Sequence, residues 1–227
     1  MYELYIGNKN YSSWSLRPWL LMRELEIAFT EHLVPFADGS SFDEFRKFSP
    51  TGKVPCLVDD GSVIWDSFGI TEYLAERHAQ VWPSEPKARA WARCAAAEMH
   101  SGFSALRNYC TMNCGIRVRL DRYPDELARD VKRLAELWTE GLNRFAGPYL
   151  AGNRFTAVDA FFAPVALRVQ TYGLQLPPAP SAYAQRLREL PGTLAWYEAA
   201  LKETWREPGH EAEARAAGTW LQDLRAS

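Results

Sequence analysis

Three serines near the start of the chain could hold a negatively charged sulfur. Ser12, Ser13 and Ser15 lie just before a segment, 16–25, whose composition favours a helix. A serine hydroxyl and the free N–H groups of a helix N-terminus both donate hydrogen bonds to negative charge. A thiolate could therefore bind there, with Ser12 as the favoured donor. Each of these serines could instead do no more than cap the helix.

A second segment, residues 49–55, could present peptide backbone to a ligand. Val54-Pro55 lies between a Gly-Lys turn and a strand, where a cis proline leaves the preceding N–H and C=O unpaired. We therefore predict a cis Val54–Pro55 bond, with an extended peptide pairing along Val54 as an added strand. Lys53 could neutralise a carboxylate of that peptide. The alternatives are an ordinary edge-strand proline and a solvated lysine.

A third pair of residues, Asp66 and Ser67, ends one predicted strand and opens the next helix. Ser67 and the helix N-terminus could hold a carboxylate, while Asp66 could hold an ammonium group. The alternative is that Ser67 caps the helix and Asp66 interacts favourably with the helix dipole.

The elements that must position these residues form an α/β unit at residues 1–81. The predicted strands are 3–7, 29–34, 54–58 and 62–65. The first two flank a helix and form a βαβ unit with parallel strands, whereas Asp59-Asp60-Gly61 between the last two predicts a hairpin. With a connecting segment at 42–48 and a closing helix at 68–78, the order is β-α-β, a connection, then β-β-α.

Residues 87–227 are predicted to form a helical bundle with almost no strand. Apolar residues recur at helical spacing in three stripes, which span 91–110, 127–145 and 158–172. Thr156-x-x-Asp159 has the spacing of a capping box at the start of the third stripe. A fourth helix follows residues 191–192, and the apolar pair 220–221 could fold back onto the body.

Composition and charge exclude several classes of protein. Hydrophobic residues make up 47% and charged residues 24% of the 227 residues, as in soluble globular proteins. The net charge of −2 is too small for nucleic-acid binding by the whole chain. No apolar run approaches the ~18 residues of a membrane helix, and no signal sequence follows Met1, so we expect a cytoplasmic protein without membrane partners. Residues 1–80 are net acidic and the remainder is net basic, which indicates a boundary near 82–86.

The four cysteines are too sparse for a disulfide framework and indicate a reducing compartment. Cys110 and Cys114 are four residues apart but have no partner ligands at metal-binding spacing. We therefore predict no metal site, and expect these cysteines to fill gaps between helices.

Taken together, the segments 12–17, 49–55 and 66–67 resemble the glutathione-binding site of the glutathione S-transferases. The Ser-Ser pair is similar to that of serine-type members such as the zeta class. Leu150-x-Gly152 before Thr156-x-x-Asp159 also resembles the helix-capping element of that family. The resemblance implies a thioredoxin-like β-α-β-α-β-β-α domain at 1–81, an all-helical domain at 87–227 that contributes an electrophile pocket, and a homodimer.

The resemblance also implies a reaction, in which glutathione is the co-substrate and is activated as a thiolate. The residues implied to bind it are Ser12, Ser13, Lys53, Val54, Pro55, Asp66 and Ser67. Ser12 or Ser13 would be catalytic, and the sequence leaves open whether one of these or Tyr11 contacts the sulfur. The thiolate would then be conjugated to a small electrophile, a detoxification reaction.

The second substrate would lie between the domains. The residues expected to line its pocket are Trp14, Tyr109, Met112 and Asn113. Arg117, Arg119 and Arg122 follow the first long helix, and they could attract an anionic substrate or belong to a solvated loop.

The sequence departs from the zeta-class pattern at one position that bears on which reaction is catalysed. Trp14 stands where that class has a cysteine after two serines, which argues against maleylacetoacetate isomerase activity and against omega-type disulfide reduction. A Cys-x-x-Cys dithiol is absent from the sequence. A glutathione-dependent isomerase or peroxidase is the alternative enzyme. A non-enzymatic interaction module is disfavoured because such a module needs the fold but not the thiol-binding residues.

Overall fold

A four-stranded mixed sheet organises the first part of the chain. The computed structural model describes residues 1–226, and its first four strands are β1 (Tyr2–Ile6), β2 (Phe29–Leu33), β3 (Cys56–Asp59) and β4 (Ser62–Ile64). Their order in the sheet is β2-β1-β3-β4, with β1 parallel to β2 and the other two pairs antiparallel. Helices α1 (Ser13–Glu24), α2 (Phe42–Arg46) and α3 (Ser67–Ala75) complete the β-α-β-α-β-β-α order. This thioredoxin-like order confirms the prediction.

The hairpin between β3 and β4 follows from its turn residues. Asp59 pairs with Ser62, and the two residues between them, Asp60 and Gly61, have φ angles of 47° and 79°. A two-residue turn with both φ angles positive matches the twist of the adjoining strands, and Asp-Gly tolerates this conformation well. The hairpin therefore ends β4 next to the Asp66-Ser67 pair.

The second part of the chain is mainly helical. Its helices are α4 (Pro86–Ser101), α5 (Ser104–Tyr109), α6 (Asp125–Phe145), α7 (Ala157–Tyr172), α8 (Pro178–Arg188), α9 (Pro191–Lys202) and α10 (Pro208–Ala217). The stripes predicted for α6 and α7 and the fourth helix, α9, are confirmed. Helix α7 is buried along nearly its whole length and packs against α1, α4 and α8, so it joins the two parts of the molecule. Among residues 1–226, no helix is both long enough and apolar enough to cross a membrane.

The stripe at 91–110 does not form the single long helix that its spacing predicts. Gly102 is extended and Phe103 has a left-handed φ of 53°, so the chain breaks between α4 and α5. A side chain at position 102 would place its Cβ 2.7 Å from the Glu98 carbonyl oxygen, and glycine therefore permits this turn. The break carries α5 and the segment after it to the junction between the two parts.

A two-stranded sheet in the second part was not predicted. Strands β5 (Ile116–Leu120) and β6 (Gly218–Asp223) pair antiparallel, and Trp220 packs against the core from β6. The prediction that residues 87–227 are all helical is therefore wrong at 116–120 and 218–223, which form these two strands. The last residue of that range, Ser227, lies outside the described residues. The strands were missed because β5 is short and its partner lies about a hundred residues later in the chain.

Candidate active site

A cavity of about 810 Å³ lies between the two parts of the molecule, at the N-terminus of α1. Of the residues predicted to be functional, those that line it are Tyr11, Ser12, Ser13, Trp14, Lys53, Val54 and Met112. Residues contributed by the helical part include Arg107, Arg168 and His210. A larger cavity of about 970 Å³, bounded in part by Trp82, contains none of these residues. The geometry therefore favours the α1 cavity as the functional site.

The two candidate serines have different hydrogen bonds. Ser12 is the N-cap of α1: its hydroxyl accepts the Ser15 N–H at 3.3 Å and donates to the Ser15 hydroxyl at 2.7 Å. The Ser15 hydroxyl in turn accepts the N–H of Gly7 at 3.2 Å. By contrast, the Ser13 hydroxyl has no hydrogen-bond partner within residues 1–226, and this residue lines the cavity. Ser13 therefore has a proton to donate to a ligand, whereas the Ser12 proton is already engaged.

The Tyr11 hydroxyl, like that of Ser12, already donates a hydrogen bond within the protein. It donates to Glu211 of α10 at 2.7 Å. Burial and this hydrogen bond raise the pKa of Tyr11 to about 12. Tyr11 therefore joins α10 to the loop before the serines instead of offering its hydroxyl to a ligand.

The loop before the serines is held by the helical part of the molecule. The Glu203 carboxylate accepts the N–H groups of Lys9 at 2.6 Å and Asn10 at 3.0 Å. The carbonyl of Lys9 accepts the indole N–H of Trp196 at 2.8 Å. These contacts fix the start of α1, and hence both serines, relative to the opposite wall of the cavity.

The backbone of Val54 forms an unpaired edge beside the cavity. The Val54–Pro55 bond is cis, as predicted. Neither the N–H nor the C=O of Val54 has a hydrogen-bond partner in the described part of the chain. Lys53 is exposed at the rim of the same cavity, whereas Pro55 is buried behind it. An extended ligand could therefore pair with Val54 while its terminal carboxylate meets Lys53.

Asp66 and Ser67 lie outside the lining of this cavity. Asp66, rather than Ser67, caps α3, because its Oδ1 accepts the N–H groups of Phe68 at 2.8 Å and Gly69 at 3.3 Å. Its Oδ2 lies 3.3 Å from Nε2 of His100, and the Trp65–Asp66 bond is cis. The Ser67 hydroxyl is buried and has no partner among residues 1–226, so it has unused hydrogen-bonding capacity.

Two residues predicted for the electrophile pocket lie elsewhere. The Tyr109 hydroxyl donates to Glu126 at 2.8 Å, on the side of α6. Asn113 is buried, and its side-chain amide donates to Glu211 at 3.2 Å. Trp14 and Met112 are thus the two members of that prediction that line the cavity.

The predicted arginine cluster also lies away from the cavity. Arg117 and Arg119 belong to β5, where Arg117 donates to the Tyr197 hydroxyl at 3.0 Å. Arg122 lies over the ring of Tyr109 at 5.4 Å. Arg117 and Arg119 thus belong to a strand and not to a solvated loop. None of the three arginines lines the cavity, so their positions give no support to a role in attracting an anionic substrate.

Arg17 and Arg107 lie over the ring of Trp14, at 4.1 and 5.4 Å. The Arg17 guanidinium is buried between the rings of Trp14 and Phe161, at 4.1 and 5.0 Å, and has no carboxylate within 4 Å in the described residues. Burial lowers its pKa to about 9. Arg107 and Arg168 line the cavity, and burial lowers the pKa of Arg168 to about 10. Arg107 and Arg168 form no ion pair with a carboxylate among residues 1–226, so the cavity that they line favours a negatively charged ligand.

The sequence alone indicated little of the position of Arg17, Arg107 and Arg168. Arg17 belongs to the motif at 12–17, but nothing in that motif indicates burial against Phe161. Arg168 lies within the apolar stripe of α7, where a lone cation gives no indication of the cavity that it faces. Among residues 1–226, no three or more His, Cys, Asp or Glu side chains are grouped so that they could hold a metal ion.

Comparisons with known proteins identify two family models in the chain. The model "Glutathione S-transferase, N-terminal domain" matches residues 11–77, and "Glutathione S-transferase, C-terminal domain" matches residues 118–205. A probable maleylacetoacetate isomerase of Caenorhabditis elegans is 26% identical over 85% of this chain and 91% of its own length. A zeta-class glutathione S-transferase of Euphorbia esula is 28% identical over 71% and 73%.

Solved structures share the fold. A theta-class glutathione S-transferase of Xanthomonas axonopodis pv. citri, with glutathione bound, has a TM-score of 0.62 and 24% identity, over 90% of this chain and 99% of that one. A tau-class enzyme from mango has a TM-score of 0.67 and 19% identity, over 94% and 96%. Because both identities are below 25%, these similarities concern the fold alone.

Proposed function

The chain belongs to the glutathione S-transferase family, since the two family models together match about two thirds of its residues, and we propose that it binds glutathione in the cavity at the N-terminus of α1. As a glutathione transferase, it activates the glutathione thiol for attack on a small electrophile. One observation carries the proposal: the free hydroxyl of Ser13 and the unpaired backbone of Val54 open onto the same cavity.

Each part of the tripeptide has a counterpart in the site. The cysteinyl backbone would pair with Val54, which directs its sulfur toward Ser13 and the N–H groups of α1. The glycine carboxylate would meet Lys53. The γ-glutamyl end would extend toward α3, where Asp66 can accept its ammonium group and the unpartnered Ser67 hydroxyl can donate to its carboxylate.

The chemistry then follows from the thiolate. The sulfur lone pair attacks the electrophilic carbon and forms a C–S bond, and either a leaving group departs with its bonding electrons or an activated double bond takes up a proton. Trp14 and Met112 supply apolar surface beside the sulfur for the second substrate. Ser13 and the helix N-terminus contribute by stabilising the thiolate relative to the thiol.

A second candidate function is isomerisation of an unsaturated carboxylic acid with glutathione as catalyst. Arg107 and Arg168 favour it, because these cations line the cavity, have no carboxylate partner within residues 1–226 and would hold an acidic substrate. The thiolate would add to a conjugated double bond, the resulting single bond would rotate, and elimination would return the thiolate. The relatives named maleylacetoacetate isomerase support this candidate, while Trp14 in place of the zeta-class cysteine argues against it.

One experiment tests both candidates. Glutathione binding is measured by calorimetry, and products are then separated by chromatography after turnover with a cis unsaturated acid and with its uncharged ester. We expect glutathione to bind, and we expect Arg107→Gln to raise KM roughly tenfold or more for the acid alone, as loss of a hydrogen bond to a charged group predicts. Conjugates identify transferase chemistry, and trans isomers identify isomerase chemistry. A chain that binds no glutathione would contradict both.

We also infer that the protein is a cytoplasmic homodimer. Its acidic first part and basic second part offer complementary surfaces for two-fold pairing. Cys94 is an exposed free thiol, which a reducing compartment preserves. Sedimentation at micromolar concentration should give twice the chain mass of 25.8 kDa, and a monomer at every concentration would exclude the dimer.

A further inference from the structure

Helix α10 places His210 in the lining of the α1 cavity, and the function proposed above assigns this residue no role. The imidazole stacks on the ring of Tyr11 at 5.0 Å and on that of Phe36 at 5.4 Å, with interplanar angles of 28° in both cases. Tyr11 directly precedes Ser12, and His210 lines the same cavity as both serines. The imidazole therefore lies against the residue that precedes the two serines, in the cavity where we propose that glutathione binds.

The orientation of the imidazole is fixed by Glu207. Nδ1 of His210 lies 2.6 Å from the Glu207 carboxylate, which also accepts the backbone N–H groups of Gly209 at 3.1 Å and His210 at 2.7 Å. Although burial raises the pKa of Glu207, its hydrogen bonds with His210 and Gly209 lower it overall. An ionised carboxylate can only accept, so Nδ1 carries a proton. In the neutral ring, Nε2 then has the free lone pair, and it has no hydrogen-bond partner among residues 1–226.

Helix α10 is itself held in place over the cavity. The Glu211 carboxylate, one residue beyond His210, accepts hydrogen bonds from Tyr11 at 2.7 Å and from Arg225, whose Nη2 lies 3.0 Å away. Arg225 also donates to Asp223 at 2.7 Å, and its side chain is almost completely buried. These bonds connect the end of the chain to the loop that carries the serines, so the position of His210 is determined by both parts of the molecule.

The thiol must lose a proton that the serines cannot accept. A free thiol has a pKa near ~8.5, so that only a few per cent is ionised at pH 7. Ser13 can donate a hydrogen bond to the thiolate, but a hydroxyl is too weak a base to take up the proton. Lys53, Arg107 and Arg168 are cations, which leaves His210 and the exposed Glu213 as the bases among the residues that line the cavity.

Building on the proposed function, we propose that His210 accepts the proton of the glutathione thiol. The S–H bond breaks, its electron pair stays on sulfur, and a new bond forms between the proton and Nε2. The resulting imidazolium is stabilised by Glu207, while the thiolate is stabilised by Ser13 and the N–H groups of α1. The imidazole is one third exposed, so it can pass the proton on to solvent.

Stopped-flow absorbance of the thiolate tests this role when the whole protein is mixed with glutathione at pH 7. We expect His210→Ala to slow thiolate formation roughly 10²-fold, as loss of a general base predicts. Added imidazole should restore much of that rate, because the alanine leaves room for it. His210→Phe preserves the stack on Tyr11 and Phe36, and it should be slow and insensitive to imidazole. Glu213→Gln serves as the matched control and should keep the normal rate.

The outcomes separate this proposal from the function on which it rests. If the unaltered protein formed no glutathione thiolate, the proposed function and this role would both fail. If His210→Ala formed thiolate at the normal rate, His210 would not be the base, although glutathione transfer would stand. A normal rate in His210→Phe would also contradict the proposal, because it would show that the ring is needed only for stacking.

Discussion

Ser13→Ala should raise the pKa of the bound glutathione thiol by about one to two units, because one hydrogen bond to a charged acceptor contributes ~1.5–3 kcal/mol and each pKa unit corresponds to ~1.4 kcal/mol. The Ser13 hydroxyl lines the cavity and has no hydrogen-bond partner among residues 1–226, so it is free to donate to the sulfur, whereas Lys53 and Val54 would still hold the peptide. Glutathione affinity should therefore change little. Titration of the thiolate ultraviolet absorbance measures the pKa, and calorimetry measures the affinity.

Ser12→Ala is the matched control. It removes the N-cap of α1, which contributes ~0.5–2 kcal/mol, so it should lower the free energy of unfolding with a smaller effect on the thiol. A thiol pKa that rose in Ser12→Ala and stayed constant in Ser13→Ala would mean that Ser12 leaves its cap when glutathione binds. A pKa unchanged in both variants would contradict thiolate stabilisation by either serine hydroxyl.

The difference between these serines shows where sequence patterns reach their limit. The pattern at 12–17 placed a hydroxyl donor at a helix N-terminus, and the structure has one there. Ser12 and Ser13 are adjacent and chemically identical, so the choice between them depends on the Ser15 hydroxyl, which engages Ser12. That contact is a matter of side-chain rotamers, about which spacing along the chain carries no information.

Local patterns predicted the elements whose signals lie within a few residues. The Asp-Gly turn, the stripe of α6 and the capping box of α7 are of this kind, because turn chemistry and helical periodicity act over short distances. The pairing of β5 with β6 and the stacking of His210 on Tyr11 join residues about one hundred to two hundred positions apart. Such contacts depend on the tertiary fold, so no local pattern could predict them.

Asp159→Ala should lower the free energy of unfolding by about 3–5 kcal/mol at pH 7, because it leaves several buried donors without an acceptor. Asp159 is fully buried at the start of α7 and accepts the N–H groups of Leu150 at 3.1 Å and Thr156 at 2.9 Å, as well as the Tyr183 hydroxyl at 2.8 Å. Urea unfolding measures the loss. Tyr183→Phe removes one of these donors and should cost ~1–2 kcal/mol.

The cost of Asp159→Ala should also depend on pH. Burial raises the pKa of Asp159 to about 6 from its ordinary 3.8, so the folded protein binds a proton at pH values where the unfolded chain has lost it. The stability that this protonation contributes is complete below the unfolded pKa and is lost as the pH rises through about 6. The alanine variant lacks it at every pH. The difference in unfolding free energy should therefore be about 1 kcal/mol larger at pH 5 than at pH 8, and a difference that grew with pH would show that the buried carboxylate is favoured in its charged form.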